Sequence, residues 1–471
     1  MSDENGELQE SYGISKYRGK VVSGPIIRTL IWLGVPPLIN QLIVVAYNVA
    51  DTYWLGLYSE VAVAVPRQVW PVIMLFQALL MALTAACLSV ISQHVGAKNY
   101  REASLSASRF FTLSSAVGAL LCILLFLLRE VIFKWLVSTP QEIFEDTLKF
   151  SGVIAFDILF NYIVLTYTTL LQSVGDTRSP AIVNGFAVGV NIILDPFLVL
   201  GLGPFPRLGV IGAALTDVMG KIISVIALTY IIRRDYPDLH VSFTKNFNAK
   251  WMRLVLRIGL PVLALMLTNG FAFVFQLQIV NLLGIVAATA YSIGFVIVNV
   301  VDAVLWGLTG ATAIMVGQNL GAENIERAKE VAYKSAIIVF TLIAIGSCIT
   351  YPLKRSIANV FVDDQAMIAE TERFLEVILP ALPFFGLFMV AMSTGRGSGH
   401  TTFPTAIGIA RLWGIRVGLG YFLAFIAGLG PFGAWLAIAL SNYICGTIAL
   451  LWIKYGRWAK AVIRKGPVID S

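Results

Sequence analysis

The sequence predicts an all-α membrane protein of about twelve transmembrane helices, arranged as two parallel six-helix repeats, an N-lobe and a C-lobe, around a central cavity. Three observations predict it. First, 58% of the 471 residues are hydrophobic and 13% charged, with a mean hydropathy of +0.80. Soluble domains carry about 25% charged residues, so a soluble enzyme is excluded. Second, apolar runs of the length that crosses a bilayer, about 20 residues, recur along the whole chain. Third, the two halves share short motifs at an offset near 225 residues.

The runs fall at roughly 29–58, 61–91, 107–128, 147–172, 180–202 and 209–231, then at 254–283, 285–315, 331–352, 371–394, 404–428 and 432–455. Strand-like alternation is not sustained anywhere, which argues against a β-barrel. The expected division is a cytoplasmic N-terminal segment 1–28, an N-lobe 29–232, a cytoplasmic linker 233–253, a C-lobe 254–455 and a basic tail 456–471. Residues 1–20 are polar and lack the apolar core of a signal peptide. Of the 34 Lys and Arg residues, 23 fall on the side that holds both termini and the central linker, and 7 on the other. Four, Arg67, Lys221, Arg411 and Arg416, lie within spans. The positive-inside rule makes the first side cytoplasmic, so the net charge of +7 is a topology signal and not a nucleic-acid footprint.

The repeat is specific. Gln93-His-Val-Gly96-Ala-Lys-Asn99 returns as Gln318-Asn-Leu-Gly321-Ala-Glu-Asn324, and Pro36 returns as Pro261, both at an offset of 225. Thr147 and Phe150 return as Thr371 and Phe374, and Gly175-Asp-Thr as Gly399-His-Thr, at 224. Gly212-Ala213 returns as Gly433-Ala434 at 221. Each half has six spans and starts on the same side, so the repeats are parallel, which is a transporter arrangement.

Other chemistries find no support. Cys87, Cys122, Cys348 and Cys445 lie in apolar runs and form no metal knuckle. The three histidines are scattered. Gly395-Arg-Gly-Ser-Gly-His lacks the lysine of a phosphate loop, so neither nucleotide nor cofactor is expected.

The order of motifs resembles the multidrug and toxic compound extrusion (MATE) family over nearly the whole chain. The residues that carry the likeness are Pro36, Asn40, Asn48-Val-Ala-Asp51, Gln93-x-x-Gly96-Ala-x-Asn99, Gly175-Asp-Thr-Arg-x-Pro180, Asn191-Ile-Ile-Leu-Asp195-Pro and Gly209-Val-Ile-Gly-Ala-Ala. An acid in span 1 with Asn and Asp in span 5 is similar to the DinF-like branch, whereas the NorM-like branch carries an acid in span 7, where this chain has Gln276. The resemblance implies antiport, in which H⁺ or Na⁺ enters as an amphipathic, often cationic organic compound or a lipid leaves. It is expected to work as a monomer in the cell membrane.

Asn40, Tyr47, Asn48 and Asp51 fall on one stripe of span 1. An ionised carboxylate costs about 2.5–3.5 kcal/mol at a helix centre on insertion scales, so Asp51 must face the bundle or a wet cavity. Asn184, Asn191 and Asp195 form a second stripe on span 5, followed by Pro196, whose ring frees a carbonyl. Carboxylate, amide and carbonyl oxygens suit either a proton relay or a Na⁺ ligand set. Hydrogen bonding between helices is the plainer alternative. The resemblance implies that Asp195 and Asn191 join Asp51, with Thr216 completing the set. Asp157 and Asn161 on span 4 line the same cavity or cover a helix interface. Asp217 and Lys221, four apart, suggest a local ion pair, and Asp302 on span 8 suggests a partner for Arg411 or Arg416. Pro36-Pro37 should bend span 1. The resemblance implies a hinge there that answers to the charge on Asp51, roughly 22 Å away along a straight helix.

Two rivals are weaker. A lipid or lipid-linked saccharide flippase would need more in-span Lys and Arg than these four, and a prenyl transferase would need acidic clusters for a Mg²⁺-bound diphosphate. The topology is testable by single-cysteine labelling in a cysteine-free background. A cysteine near residue 140 should react with an impermeant reagent from outside intact cells, and one at 245 should not; external labelling at 245 would invert the assignment.

Overall fold

In the computed structural model, residues 13–59 and 61–463 are described; residues 1–12 of the N-terminal segment and the tail from Arg464 onward lie outside them. The described residues hold twelve helices long and apolar enough to span a membrane, and no strand. They are α1 (Ile26–Tyr58), α2 (Ala64–Gly96), α3 (Tyr100–Leu136), α4 (Gln141–Ser173), α5 (Arg178–Leu200), α6 (Val210–Asp235), α7 (Ala249–Leu282), α8 (Ile285–Gly321), α9 (Ile325–Phe361), α10 (Gln365–Ser398), α11 (Thr402–Ile426) and α12 (Gly430–Tyr455). Each matches one expected span; some ends fall short by one to three residues, while α3 and α9 extend beyond theirs by six to nine at each end. A bilayer has no water to pair with backbone N–H and C=O groups, so the helix, which pairs them internally, is the form such runs take. Large side chains such as Leu127 (70% exposed) and Ile226 (65% exposed) remain uncovered, as lipid contact requires.

The chain divides into two compact units. One comprises residues 1–20 and Val35–Val255, and the other Val21–Gly34 and Leu256–Ser471. The beginning of α1 thus groups with the second unit, although the sequence places the N-lobe's start at 29. The physical reason is local: Asn319 donates to the Val21 carbonyl, Arg327 to that of Gly24, and Gly34 lies against Leu308.

Both units use one packing scheme. In the first, α4 is central and packs on α2, α3 and α6, while α5 packs on α6; in the second, α10 packs on α8, α9 and α12, while α11 packs on α12. The repeat motifs take equal conformations. Lys98 and Glu323 both have left-handed backbone, with φ of 59° and 63°. The next residues, Asn99 and Asn324, both stand at a helix N-cap position, where the Asn99 side chain accepts from the Glu102 amide. Gly175 and Gly399 are likewise left-handed, and that turn is tied down differently in each unit. Asp176 accepts from the Arg178 and Ser179 amides, the Ser179 hydroxyl and the Tyr236 phenol, whereas Thr401 donates to the Ile258 carbonyl. Burial and the Asp176 carboxylate push the Tyr236 phenol well above its ordinary range, so it stays a donor.

The expected linker 233–253 is a strap along α3. Ser108 donates to the His240 carbonyl at 2.7 Å, Arg109 to the Asn246 carbonyl at 2.6 Å, and the Thr244 amide to Thr112. The span expected at 371–394 is longer and interrupted: Leu379–Ala381 form a 3₁₀ turn within α10, where Pro380 and Pro383 remove two ladder donors. By contrast α1 runs as one helix through Pro36 and Pro37.

One close helix contact is repeated in both units. A Cβ on Gly212 would lie 2.4 Å from the Leu198 carbonyl oxygen, and one on Gly433 would lie 2.6 Å from the Leu423 carbonyl carbon. Small residues permit such backbone approach in membranes. Gly212→Ala and Gly433→Ala should each cost about 1–3 kcal/mol through overpacking, read as a fall of several degrees in apparent Tm. Gly346→Ala, with open space around it, should not lower Tm.

Candidate functional site

The polar residues of the first unit collect where α5 meets α6. Asp195 is fully buried, and its Oδ1 accepts from Thr216 Oγ1 at 2.6 Å. The same hydroxyl lies 2.7 Å from the Ala213 carbonyl, so its single proton serves one acceptor at a time. Asp195 Oδ2 is buried with no partner. One turn earlier on α5 stands Asn191, 6% exposed. Its side chain fits because α6 presents Gly220, where a Cβ would meet Asn191 Oδ1 at 2.5 Å.

Asn191 connects this pair to Asp217. In one amide orientation its nitrogen faces Asp217 Oδ1 at 3.4 Å. In the other it donates to the Thr216 carbonyl at 2.7 Å and the Ala187 carbonyl at 3.3 Å, the better geometry. The flipped amide turns its oxygen toward Asp217, which suits a carboxyl that carries a proton. Tyr47 Oη donates to Asp217 Oδ1 at 2.5 Å. Asp51, one turn further along α1, acts on Asp195 and Asp217 through space. Among the described residues no hydrogen bond joins it to either. Asp157 on α4 has a buried, unpartnered Oδ1 and interacts electrostatically with Asp217 and Lys221.

The expected set is therefore partly assembled. Asp195, Asn191, Thr216 and Tyr47 share one network, and Asp51 and Asp157 act on it by charge. No hydrogen bond links Asn40, Asn48, Asn161 or Asn184 to it among the described residues; Asn48 is exposed, and Asn40 Oδ1 is buried without a partner. No group of three acids, histidines or cysteines converges at metal-binding distance among those residues. The expected Na⁺ set of Asp51, Asn191, Asp195 and Thr216 is thus not a closed cage: the side-chain hydrogen bond within it joins Thr216 to Asp195.

Two expectations need correction. Asp217 and Lys221 form no ion pair within 4 Å among the described residues; the Asp217 carboxyl accepts from Tyr47 on α1 instead. The spacing of four that suggested a self-contained pair concealed Asp217 as a member of the network; its position next to Thr216 was the signal. Likewise, no ion pair within 4 Å joins Asp302 to Arg411 or Arg416 among those residues, and both arginines bond to α12 instead.

Comparison with known proteins gives the assignment. The MatE family profile matches residues 36–197 and again 261–422, two matches separated by the repeat offset of 225. The chain belongs to the MatE family. MatE proteins are membrane transporters and not enzymes, and this one is a multi-pass membrane protein. It is 25% identical, over 81% of its length and 83% of the relative's, to the probable multidrug resistance protein YoeA of Bacillus subtilis. It is 26% identical, over 93% of its length and 94% of the relative's, to the probable multidrug resistance protein NorM of Thermotoga maritima. A crystal structure of MATE in complex with MaD3S matches with a TM-score of 0.84 at 20% identity, covering 92% of this chain and 97% of that one; that likeness is one of fold.

The Gly220–Asn191 contact predicts coupling between the two positions. Gly220→Ala should destabilise by about 1–3 kcal/mol by displacing the amide. Adding Asn191→Ala should recover part of that loss, with a double-mutant interaction energy of about 0.5 kcal/mol or more in thermal unfolding. Strictly additive costs would mean that the two residues do not press on each other.

Proposed function

We propose that this MatE protein is a cation-coupled antiporter of the cell membrane, driven by H⁺ or Na⁺, that exports amphipathic, often cationic organic compounds by alternating access. Asp51, Asp195, Asn191 and Thr216 bind the coupling ion. Tyr47 and Asp217 belong to the same set, and Asn40, Asn48, Asn184, Asp157 and Asn161 line the path of the exported compound. The observation that carries this reading is a charge balance. Asp51 acts on Asp195 and Asp217, Asp157 acts on Asp217, and the Lys221 ammonium stands against Asp157 and Asp217 within the same unit. Four carboxyls beside one ammonium inside a bilayer cannot all be ionised without further cations. A proton or Na⁺ neutralises part of the deficit, and so does an organic cation. Two cations that satisfy the same charge compete, and competition for one charge deficit is the basis of exchange.

The names of the multidrug resistance relatives support export of organic compounds. The acids in spans 1 and 5, with Gln276 in span 7, support the DinF-like arrangement. The Lys and Arg bias supports cytoplasmic termini, and the working form is a monomer. Pro36 and Pro37 serve as the hinge of α1. In support, the boundary between the two units falls between Gly34 and Val35, immediately before them.

The test is transport by purified protein in proteoliposomes under imposed pH or Na⁺ jumps, without ATP. Asp51→Asn and Asp195→Asn should each abolish gradient-driven export while remaining folded, and Asn191→Ala should impair it strongly. Gln276→Ala should change affinity or stability alone. Wild-type export by Asp51→Asn, or normal coupling by Asp195→Asn beside a folded but uncoupled Asp302→Asn, would move the ion site out of the first unit.

A further inference from the structure

The second unit holds a charge cluster of opposite sign. Within α11, residues Ala410–Leu419 leave α geometry for a π-helix. In an α-helix, residues five apart point about 140° away from each other. The wider π winding, with hydrogen bonds from i to i+5, turns Arg411 and Arg416 toward one side. Both reach the same atom: Arg411 Nη1 lies 3.1 Å and Arg416 Nη2 3.2 Å from Asn442 Oδ1. Arg416 Nε also donates to Ser441 Oγ at 3.0 Å. Each arginine is 7% exposed, Asn442 is 2% exposed, and Arg411 Nε is buried with no partner. The Arg411 guanidinium stands 4.9 Å from the ring centres of both Phe385 and Phe388.

The acceptors do not match the donors. Two guanidiniums offer ten N–H groups, and their side-chain partners here are a neutral amide oxygen and a hydroxyl. Asp302 acts on both arginines through space without forming an ion pair within 4 Å among the described residues. A buried charge is retained when something pairs with it, and a guanidinium fork fits carboxylate or phosphate oxygens. The register strengthens the contrast. At the offset of 221, Asn442 falls on Lys221. The α5–α6 pair therefore carries acids with one lysine, and its repeat, α11–α12, carries two arginines with a neutral amide.

We infer that Arg411, Arg416, Asn442 and Ser441 form a binding site for one oxyanion group, a carboxylate or a phosphate, borne by an amphipathic molecule whose apolar part lies along Phe385 and Phe388. The site goes beyond the cation-coupled reading, since it extends the transported or regulatory ligands to anionic and zwitterionic amphiphiles. Its test uses binding at equilibrium, which does not depend on ion coupling.

The full chain is reconstituted in nanodiscs of phosphatidylcholine and titrated with 11-(dansylamino)undecanoic acid, followed by dansyl fluorescence; a dansyl-alkyl trimethylammonium serves as the cationic control. Arg411→Gln and Arg416→Gln should each weaken the carboxylate probe at least tenfold and the cationic probe less than twofold. Phosphatidylglycerol in the disc separates the sources of the oxyanion: competition with the probe assigns a lipid headgroup, and no competition assigns a soluble amphiphile. Should the arginine variants misfold, Asn442→Asp places a carboxylate between the two guanidiniums. It should keep the fold, raise Tm and abolish probe binding. Absence of probe binding to the wild type, less than a twofold change in the folded arginine variants, or undiminished binding in Asn442→Asp would each overturn the inference.

Discussion

A charge inside a hydrocarbon layer has no water to fall back on, and most of the informative features of this chain follow from that. The backbone meets the constraint by forming helices throughout the apolar runs. The side chains meet it by clustering: of the ionisable groups within the spans, the acids Asp51, Asp157, Asp195 and Asp217 gather in the first unit, and Arg411 and Arg416 gather in the second. Each gathering has an excess of one sign. An excess held away from water is costly at rest and useful in a transporter, because a mobile ion of the opposite sign then has a reason to bind.

The geometry that holds these groups is built from small features. Gly220 leaves the space that Asn191 fills, and the Thr216 hydroxyl chooses between Asp195 and the Ala213 carbonyl. The Asn191 amide nitrogen donates to the Thr216 and Ala187 carbonyls, which leaves its oxygen toward Asp217. A hydroxyl rotor has a low barrier beside a helix rearrangement, and it is sensitive to whether a nearby carboxyl carries a proton. The hydrogen bonding of this network can therefore change without any helix moving. In the second unit the corresponding device is the π-helical stretch of α11, which sacrifices regular winding to aim two arginines at one oxygen.

Duplication explains why two such different sites share one scaffold. The central helices α4 and α10 pack on corresponding neighbours, and the backbone twists at Lys98 and Glu323 are equal to within a few degrees. Gly212 and Gly433 fix the same close helix crossing in both units. With the frame secured by backbone approach and turn geometry, the side chains at the α5–α6 and α11–α12 interfaces were free to diverge. Gln276 in place of the Asp51 counterpart and Asn442 in place of the Lys221 counterpart are the outcome.

The helix count, the repeat and the family were legible in the sequence, because hydropathy over some twenty residues and motif order over hundreds depend on composition and spacing alone. The stripes that contain Asp51, Asn191 and Asp195 were legible too, since helical periodicity puts them on one face. Only the tertiary structure decided the partners. Periodicity within α6 pairs Asp217 with Lys221, but Tyr47, 170 residues away, takes the carboxyl. Charge matching pairs Asp302 with the arginines, but a winding change in α11 delivers both to Asn442. The same holds for the start of α1, whose residues Val21–Gly34 group with the second unit through contacts to Leu308, Asn319 and Arg327. Local patterns fix which face of a helix is polar; which group meets that face depends on where the other helices stand, and no spacing within one helix contains that information.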